Sequence, residues 1–211
     1  MYKIIAIDGP ASVGKSTLAK MVAKKYNSPV LFSGKLYRAV ALELIRRKLD
    51  PNNIQNILRC VNCIDLNKLD TEELYLSEVD KLSSIISSKT KLRNKLITFQ
   101  RNYPKEYGKS SKFVIIEGRD IGTVIFPNAD YKIFLWADAK IRAKRRYEQI
   151  KKNRKKASFR RIFSEINTRD RKDLTRKIAP LMPATNSVLL DTSYIDIEQA
   201  FNALQKIILK I

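Results

Sequence analysis

The stretch Gly9-Pro10-Ala11-Ser12-Val13-Gly14-Lys15-Ser16-Thr17 constrains this chain more than any other. Before it runs Lys3-Ile4-Ile5-Ala6-Ile7-Asp8, a compact β-branched segment of the kind buried in parallel sheets. After it, apolar residues from Leu18 to Tyr26 recur at helical spacing. A strand, a glycine turn and a helix in that order make the start of a βα unit. The turn itself fits G-x-x-x-x-G-K-[ST], the Walker A pattern. Gly9 and Gly14 let the backbone wrap phosphate oxygens, and successive N–H groups at a helix N-terminus add positive potential. Lys15 then reaches the β- and γ-phosphates, and the Ser16 hydroxyl ligates Mg²⁺. The nine residues from Gly9 to Thr17 are therefore the candidate nucleoside-triphosphate-binding set, with Ser16 the candidate metal ligand. The alternative is a turn whose glycines serve packing alone.

The rest of the chain continues the alternation. Val30-Leu31-Phe32 reads as a second strand, and Ser33-Gly34 opens a helix that Asp50-Pro51 ends. Residues 52–111 are polar, rich in Asn, Ser and Lys, and helical in period, which predicts an inserted helical subdomain. Phe113–Ile116, Tyr131–Leu135 and Ser187–Leu190 read as further strands. A basic helical region covers about 138–178 with a weak break near 151–157, and Asp196–Lys210 forms an amphipathic terminal helix. Strands alternating with helices predict an α/β fold with a parallel sheet.

With 211 residues the chain is read as a single domain, large enough to bury a core without disulfides. It contains 42 Lys+Arg against 21 Asp+Glu and no histidine. The absent histidine excludes Ser-His-Asp and Cys-His nucleophile systems and histidine-type zinc sites. Cys60 and Cys63 form a CxxC with no further Cys or His to complete a zinc site, so they read as two reduced thiols. The apolar run before Asp8 is too short for a signal peptide. No stretch approaches the roughly 18 apolar residues of a membrane span. Both point to a cytoplasmic protein without a membrane partner.

A basic chain can bind nucleic acid, anionic lipid or small polyanions. Two segments after predicted strands supply arginines where α/β folds bind ligands: Ser33-Gly34-Lys35-Leu36-Tyr37-Arg38 and Glu117-Gly118-Arg119-Asp120. Glu117 and Asp120 are candidates for orienting the water shell of Mg²⁺, which usually keeps several waters. Arg169, Asp173 and Arg176 fall at i, i+4 and i+7, on one face of a predicted helix. That spacing suits either a phosphate-binding face or a salt-bridged solvent face.

The combination resembles the bacterial cytidylate kinases, a P-loop nucleoside monophosphate kinase family. The resemblance is carried by Ile7 to Thr17, by Ser33-Gly34 with Tyr37-Arg38, and by Gly118-Arg119-Asp120-Ile121-Gly122-Thr123-Val124-Ile125-Phe126-Pro127. Arg169-Asp170 through Arg176, with Ala179-Pro180-Leu181, completes it. It implies a P-loop NTPase fold: a five-stranded parallel sheet wrapped by helices, with an NMP-binding insertion and a lid. The boundaries expected are a core of 1–51, 112–148 and 162–211, an insertion of 52–111 and a lid of about 149–161. It also implies ATP-dependent phosphorylation of CMP and dCMP to CDP and dCDP in pyrimidine nucleotide metabolism, by a monomer that uses Mg²⁺.

The resemblance further implies residue roles. Lys15, Arg119 and Arg176 are the candidate catalytic residues. Ser33 and Arg38 resemble the acceptor's ribose and phosphate contacts, and Ser84 and Arg93 the cytosine readers. Arg119 and Asp120 resemble phosphate and cytosine contacts. Asp173 resembles the ribose-hydroxyl partner, with Arg169 and Arg176 on phosphates, and Arg145 resembles the arginine that covers adenine. Two departures stand out. Glu117 occupies a position where many relatives carry Asp, and the segment 62–83 is short and lacks a strand pattern, which predicts an all-helical insertion.

A phosphate acceptor is already ionised, so such a reaction needs no general base, and the missing histidine is no obstacle. Rival readings are a small P-loop kinase for UMP or a non-nucleotide acceptor, and a nucleic-acid-binding P-loop protein. Residues 142–177 hold sixteen Lys/Arg against four Asp/Glu, more than half of the chain's charge excess. Tyr147 and Phe159 are the only aromatics within its most basic part, which favours small polyanions over nucleic acid.

Overall fold

The computed structural model describes residues 2–152 and 156–209. The chain divides into two compact units, Met1–Val30 with Tyr107–Ile211, and Leu31–Glu106. Five strands form one sheet: β1 (Lys3–Asp8), β2 (Val30–Phe32), β3 (Phe113–Glu117), β4 (Tyr131–Trp136) and β5 (Val188–Asp191), in the order β2-β3-β1-β4-β5. The β1–β3, β1–β4 and β4–β5 pairs are parallel.

In the first unit β1 is central. Its Ile5 lies opposite Ile115 of β3 and Tyr131 of β4. Ile5, Ala6, Ile7 and the whole of β3 are buried, which explains why these strands read as unbroken apolar runs. Each fully buried Ile or Leu contributes about 1.5–3 kcal/mol. Helix α1 (Lys15–Lys25) buries Leu18, Ala19, Val22 and Ala23, packing on β3 and on the terminal helix α8 (Ile197–Leu209). Helices α6 (Ala139–Lys152) and α7 (Phe159–Thr175) pack together through Ala143, Ile162 and Ile166, with Tyr147, Phe159 and Phe163 around them. The Ser158 side chain caps α7 by accepting from Arg161 N–H. Of the expected lid, residues 153–155 lie outside the described residues.

The second unit is helical apart from the end of β2. It holds α2 (Ser33–Arg46), α3 (Ile54–Val61), α4 (Ser77–Ile86) and most of α5 (Thr90–Tyr107). Two 3₁₀ turns at Leu66–Lys68 and Glu72–Tyr75 connect α3 to α4. Asn53 caps α3 by accepting from Gln55 and Asn56 N–H groups. Helix α2 packs on α3 and α4. No strand occurs between residues 52 and 111.

One local prediction needs correction, and one element has no counterpart in the sequence reading. The basic helical region does not run to 178: α7 stops at Thr175, and Arg176 is extended at φ −65°, ψ 137°. Downstream, Ala179 takes a positive φ of 51° before Pro180, where proline disfavours helix at the preceding residue, so the chain does not return to helix there. Ile121–Ile125, for which the periodicity gives no element, forms a single π-helical turn in which Phe126 N–H donates to the Ile121 carbonyl at 2.7 Å.

Candidate active site

The phosphate loop of the first unit is built by backbone geometry that few residues allow. Gly9 has φ 146°, and a Cβ there would lie 2.3 Å from the Leu135 carbonyl oxygen. Gly14 has φ 101° and is the residue from which α1 starts. Between them Ser12 also sits in the left-handed region, at φ 58°. Lys15 folds back over the loop and donates to the Pro10 carbonyl at 2.8 Å. Its ammonium lies 3.6 Å from Glu117 Oε1 at the end of β3. Ser16 and Thr17 are exposed in the first turn of α1, where backbone N–H groups lack intrahelical acceptors.

Arg119 joins the loop to α7. It donates through Nη1 to the Gly9 carbonyl and through Nε to Asp173 Oδ2, the latter at 2.9 Å. Asp173 also lies 3.8 Å from Arg176 Nη1, and Arg176 Nη2 lies 3.7 Å from Asp120. The Arg176 Nε–H is taken by the Ala179 carbonyl, a contact that the extended conformation of Arg176 permits. Arg119, Asp120, Asp173 and Arg176 thus form one charge network. Arg169, half-buried on α7, is close enough to lower the pKa of Lys15. Arg171 and Lys172 point to solvent. The i, i+4, i+7 face is therefore turned inward, although its last member lies beyond the helix. Arg145 of α6 holds the loop after β5, donating to Thr192 Oγ1 at 3.2 Å, to the Thr192 carbonyl and to the Ile195 carbonyl at 3.2 Å.

Periodicity passes over two features of this unit. Asp8, fully buried at the end of β1, accepts from Ile121 N–H at 2.9 Å and Gly122 N–H at 2.7 Å, pinning the turn that follows Arg119-Asp120. The second is a buried pair, Arg142 of α6 with Asp170 of α7, at 2.6 Å. A charged residue inside an apolar strand or a basic helix has no period of its own to betray it.

Burial governs the electrostatics. The Asp8 carboxyl is raised from 3.8 to about 7, first by desolvation and then by the Asp120 charge, against the two N–H bonds and Lys15. The Lys15 ammonium is lowered from 10.5 to about 7, first by desolvation and then by Arg119, against Glu117. Folding raises the pKa of Asp8, so its contribution to stability is full below about 4 and is lost as pH rises through about 7. Lys15 has the opposite sign: its contribution is full above 10.5 and is lost as pH falls towards 7. The melting temperature of the wild type is therefore expected to fall relative to that of Asp8→Asn as pH rises from about 4 to about 7. Equal slopes in the two proteins would contradict the Asp8 assignment.

In the second unit Ser33 is buried at the start of α2. Arg38 donates to the Leu74 carbonyl at 2.8 Å, pairs with Asp80, and lies over the Tyr75 ring. Arg93 of α5 is buried over the Tyr37 ring and donates to the Ser87 carbonyl at 3.2 Å. Ser84 is half-buried on α4. Asp80, Tyr37 and Tyr75 are partners of the two arginines that spacing leaves without a part. Their signal lies in tertiary packing.

Among the described residues no group of three or more His, Cys, Asp or Glu forms a cage for a metal ion. The Ser16 hydroxyl and the Glu117 carboxylate flank Lys15, while the nearby Asp8 and Asp170 carboxylates are engaged by backbone N–H groups and, for Asp170, by Arg142. Such a sparse set fits Mg²⁺, which takes one or two protein ligands plus phosphates and waters.

The model of the cytidylate kinase family matches residues 5–210. A cytidylate kinase of Bartonella tribocorum is 39% identical over 198 residues, 94% of this chain and 90% of the relative. One from Clostridium tetani is 34% identical over 218 residues, 99% and 94%. Among solved structures, an uncharacterised protein from Eubacterium ventriosum superposes with TM-score 0.57 at 15% identity, covering 100% of both chains. A sugar kinase from Janibacter gives 0.52 at 10% identity, covering 99% of this chain and 95% of that one. The two structures share the fold. The match across nearly the whole sequence, on a parallel sheet with a glycine-bounded phosphate loop at its centre, places the chain in the cytidylate kinase family of P-loop phosphotransferases.

Proposed function

We propose that the chain transfers the γ-phosphoryl group of ATP to CMP and dCMP, giving ADP with CDP or dCDP. The observation that carries this reading is the Arg119–Asp173–Arg176–Asp120 network anchored on the carbonyl of Gly9, in a chain whose whole length matches cytidylate kinases. An acceptor phosphate oxygen attacks the γ-phosphorus, the bond to the β,γ-bridging oxygen breaks, and ADP leaves. The attacking oxygen carries no proton that must be removed. Catalysis is then positioning plus neutralisation of the charge on the transferred group.

Gly9 to Thr17 hold the ATP phosphates, with Lys15 on the β- and γ-oxygens and Arg145 covering the adenine. Arg119, Arg169 and Arg176 oppose the charge on the transferred group and the acceptor phosphate. Ser33 and Arg38 hold the acceptor's ribose and phosphate, while Ser84, Arg93 and Asp120 read cytosine. Ser16, with Glu117 orienting waters, would hold Mg²⁺, which when bound screens the phosphate oxygens. Residues 52–111 serve as the NMP-binding insertion and about 149–161 as a lid that excludes water. The setting is pyrimidine nucleotide metabolism, in a cytoplasmic monomer without nucleic-acid or membrane partners. No described helix is long and apolar enough to cross a membrane.

Separation of the products of ATP, Mg²⁺ and CMP is expected to yield ADP and CDP in equal amounts. ADP without CDP would refute the acceptor. Asp173 offers a finer test. Its carboxylate orders both Arg119 and Arg176, so Asp173→Ala is expected to lose about tenfold or more in turnover on both CMP and dCMP. A further loss on CMP alone measures the contact to the 2′-hydroxyl. Identical losses on the two acceptors would remove that contact.

A further inference from the structure

Both backbone groups of Ala11, in the middle of the phosphate loop, are held by buried charges from another part of the unit. Asp170 Oδ1 accepts the Ala11 N–H at 3.2 Å, and Arg142 Nη1 donates to the Ala11 carbonyl at 2.9 Å. The two side chains pair with each other at 2.6 Å, and Arg142 Nε donates to the Ala137 carbonyl at 2.8 Å. Arg142 is 1% exposed and Asp170 8%. Burial of two charges is expensive unless their geometry and further hydrogen bonds compensate. Here the further bonds go to a loop that has to present its N–H groups to phosphate.

We propose that the buried Arg142–Asp170 pair is a positioning device for the phosphate loop, fixing the peptides on either side of Ala11 so that the loop is in its phosphate-binding shape before nucleotide arrives. Each peptide is planar and trans, so its C=O and N–H point opposite ways. The Pro10 carbonyl is taken by Lys15, which sends Ala11 N–H to the other side, towards Asp170. The Ala11 carbonyl is drawn to Arg142, which turns Ser12 N–H away from the pair. A flip of that peptide would exchange the Ser12 donor for a carbonyl oxygen, which repels an anion. The same anchoring holds Ser12 in its left-handed conformation, which a residue with a Cβ adopts only at a cost.

The pair also sets register. Asp170 follows Arg169 directly in α7, and Arg142 lies on α6, so the packed α6–α7 hairpin is tied to the loop at one point. Neither residue has to touch nucleotide, and the pairing leaves no net charge beside the loop. The device rests on the ATP site proposed above, but it does not depend on the identity of the acceptor.

Two experiments test it on the full chain. In the nucleotide-free wild type, amide hydrogen exchange followed by NMR is expected to protect Ala11 far more than its exposed neighbour Ser12. Equal, fast exchange at both would overturn the clamp. ATP binding is then measured by calorimetry in Asp170→Asn and in the double variant Arg142→Met with Asp170→Leu, which removes both charges together. Each is expected to fold and to bind ATP about tenfold or more weakly, the scale of one or two lost hydrogen bonds. KM for ATP should rise with kcat falling, while the exchange of β-sheet amides stays unchanged, a split that general loss of stability does not produce. Wild-type affinity for ATP in both folded variants would overturn the proposal. A wild type that fails to bind ATP would instead refute the nucleotide site, and the Ala11 exchange rate would still decide the clamp. Should neither variant fold, that rate decides alone.

Discussion

Lys15→Ala will leave a folded protein whose production of CDP falls by about a thousandfold. The size follows from where the ammonium sits. Its Nζ is 2.8 Å from the Pro10 carbonyl and 3.6 Å from Glu117, behind a loop that shields it from water. Burial and the nearby Arg119 lower its pKa to about 7, so the cation is costly unless further negative charge lies beside it. Polyphosphate supplies the missing negative charge and keeps the lysine protonated. In the variant, charge on the transferred group has no opposing ammonium at this point. Glu117 loses its partner, which costs stability but leaves the apolar strands of the sheet intact. Steady-state turnover with circular dichroism as the fold control checks the outcome. Near-wild-type CDP formation by a well-folded variant would remove Lys15 from the mechanism.

Arg176→Ala carries the second large effect, a fall in turnover of about 10³-fold, the scale of arginines that stabilise phosphoryl transfer. Arg119 and Arg176 balance Asp120 and Asp173 in the intact network. Without Arg176 the network is net negative where charge develops on the transferred group. Arg176→Lys separates charge from geometry. An ammonium restores the charge but cannot span Asp120, Asp173 and the Ala179 carbonyl as the planar fork does. Rescue by Lys is therefore expected to be partial in a single-turnover measurement. Complete rescue would mean that charge alone matters there, and an unimpaired Ala variant would refute the role.

The centre of the parallel sheet was legible in the sequence because its strands are buried and read as continuous β-branched runs, whereas the edge strand β5 is largely exposed. β1 and β3 are the clear cases. The phosphate loop was legible because its chemistry is local: two glycines, a lysine and a hydroxyl at fixed spacing determine its backbone. Side chains that work through tertiary partners were harder to find. The 169, 173 and 176 spacing assumes an unbroken helix, and the chain leaves helical geometry at Arg176. That departure lets the Arg176 Nε–H reach Ala179. Asp8 looked like the end of a strand, and its grip on the 121–122 amides appears only when β1 and the π-helical turn are brought together. Arg142 and Asp170 were hidden in the most basic part of the chain, where one more charged residue carries no signal. In the helical unit, Asp80 and Tyr37 lie 42 and 56 residues from the arginines they contact, beyond any spacing rule.

The central claim is that the chain phosphorylates cytidine monophosphates. The most direct measurement is kcat/KM for CMP, dCMP, UMP and AMP under one set of conditions with ATP and Mg²⁺. CMP and dCMP are expected to exceed UMP and AMP by at least about a hundredfold, because buried groups arranged to bind one base are left unpaired by another. Equal rates across the four acceptors, or ATP hydrolysis that none of them stimulates, would contradict the account.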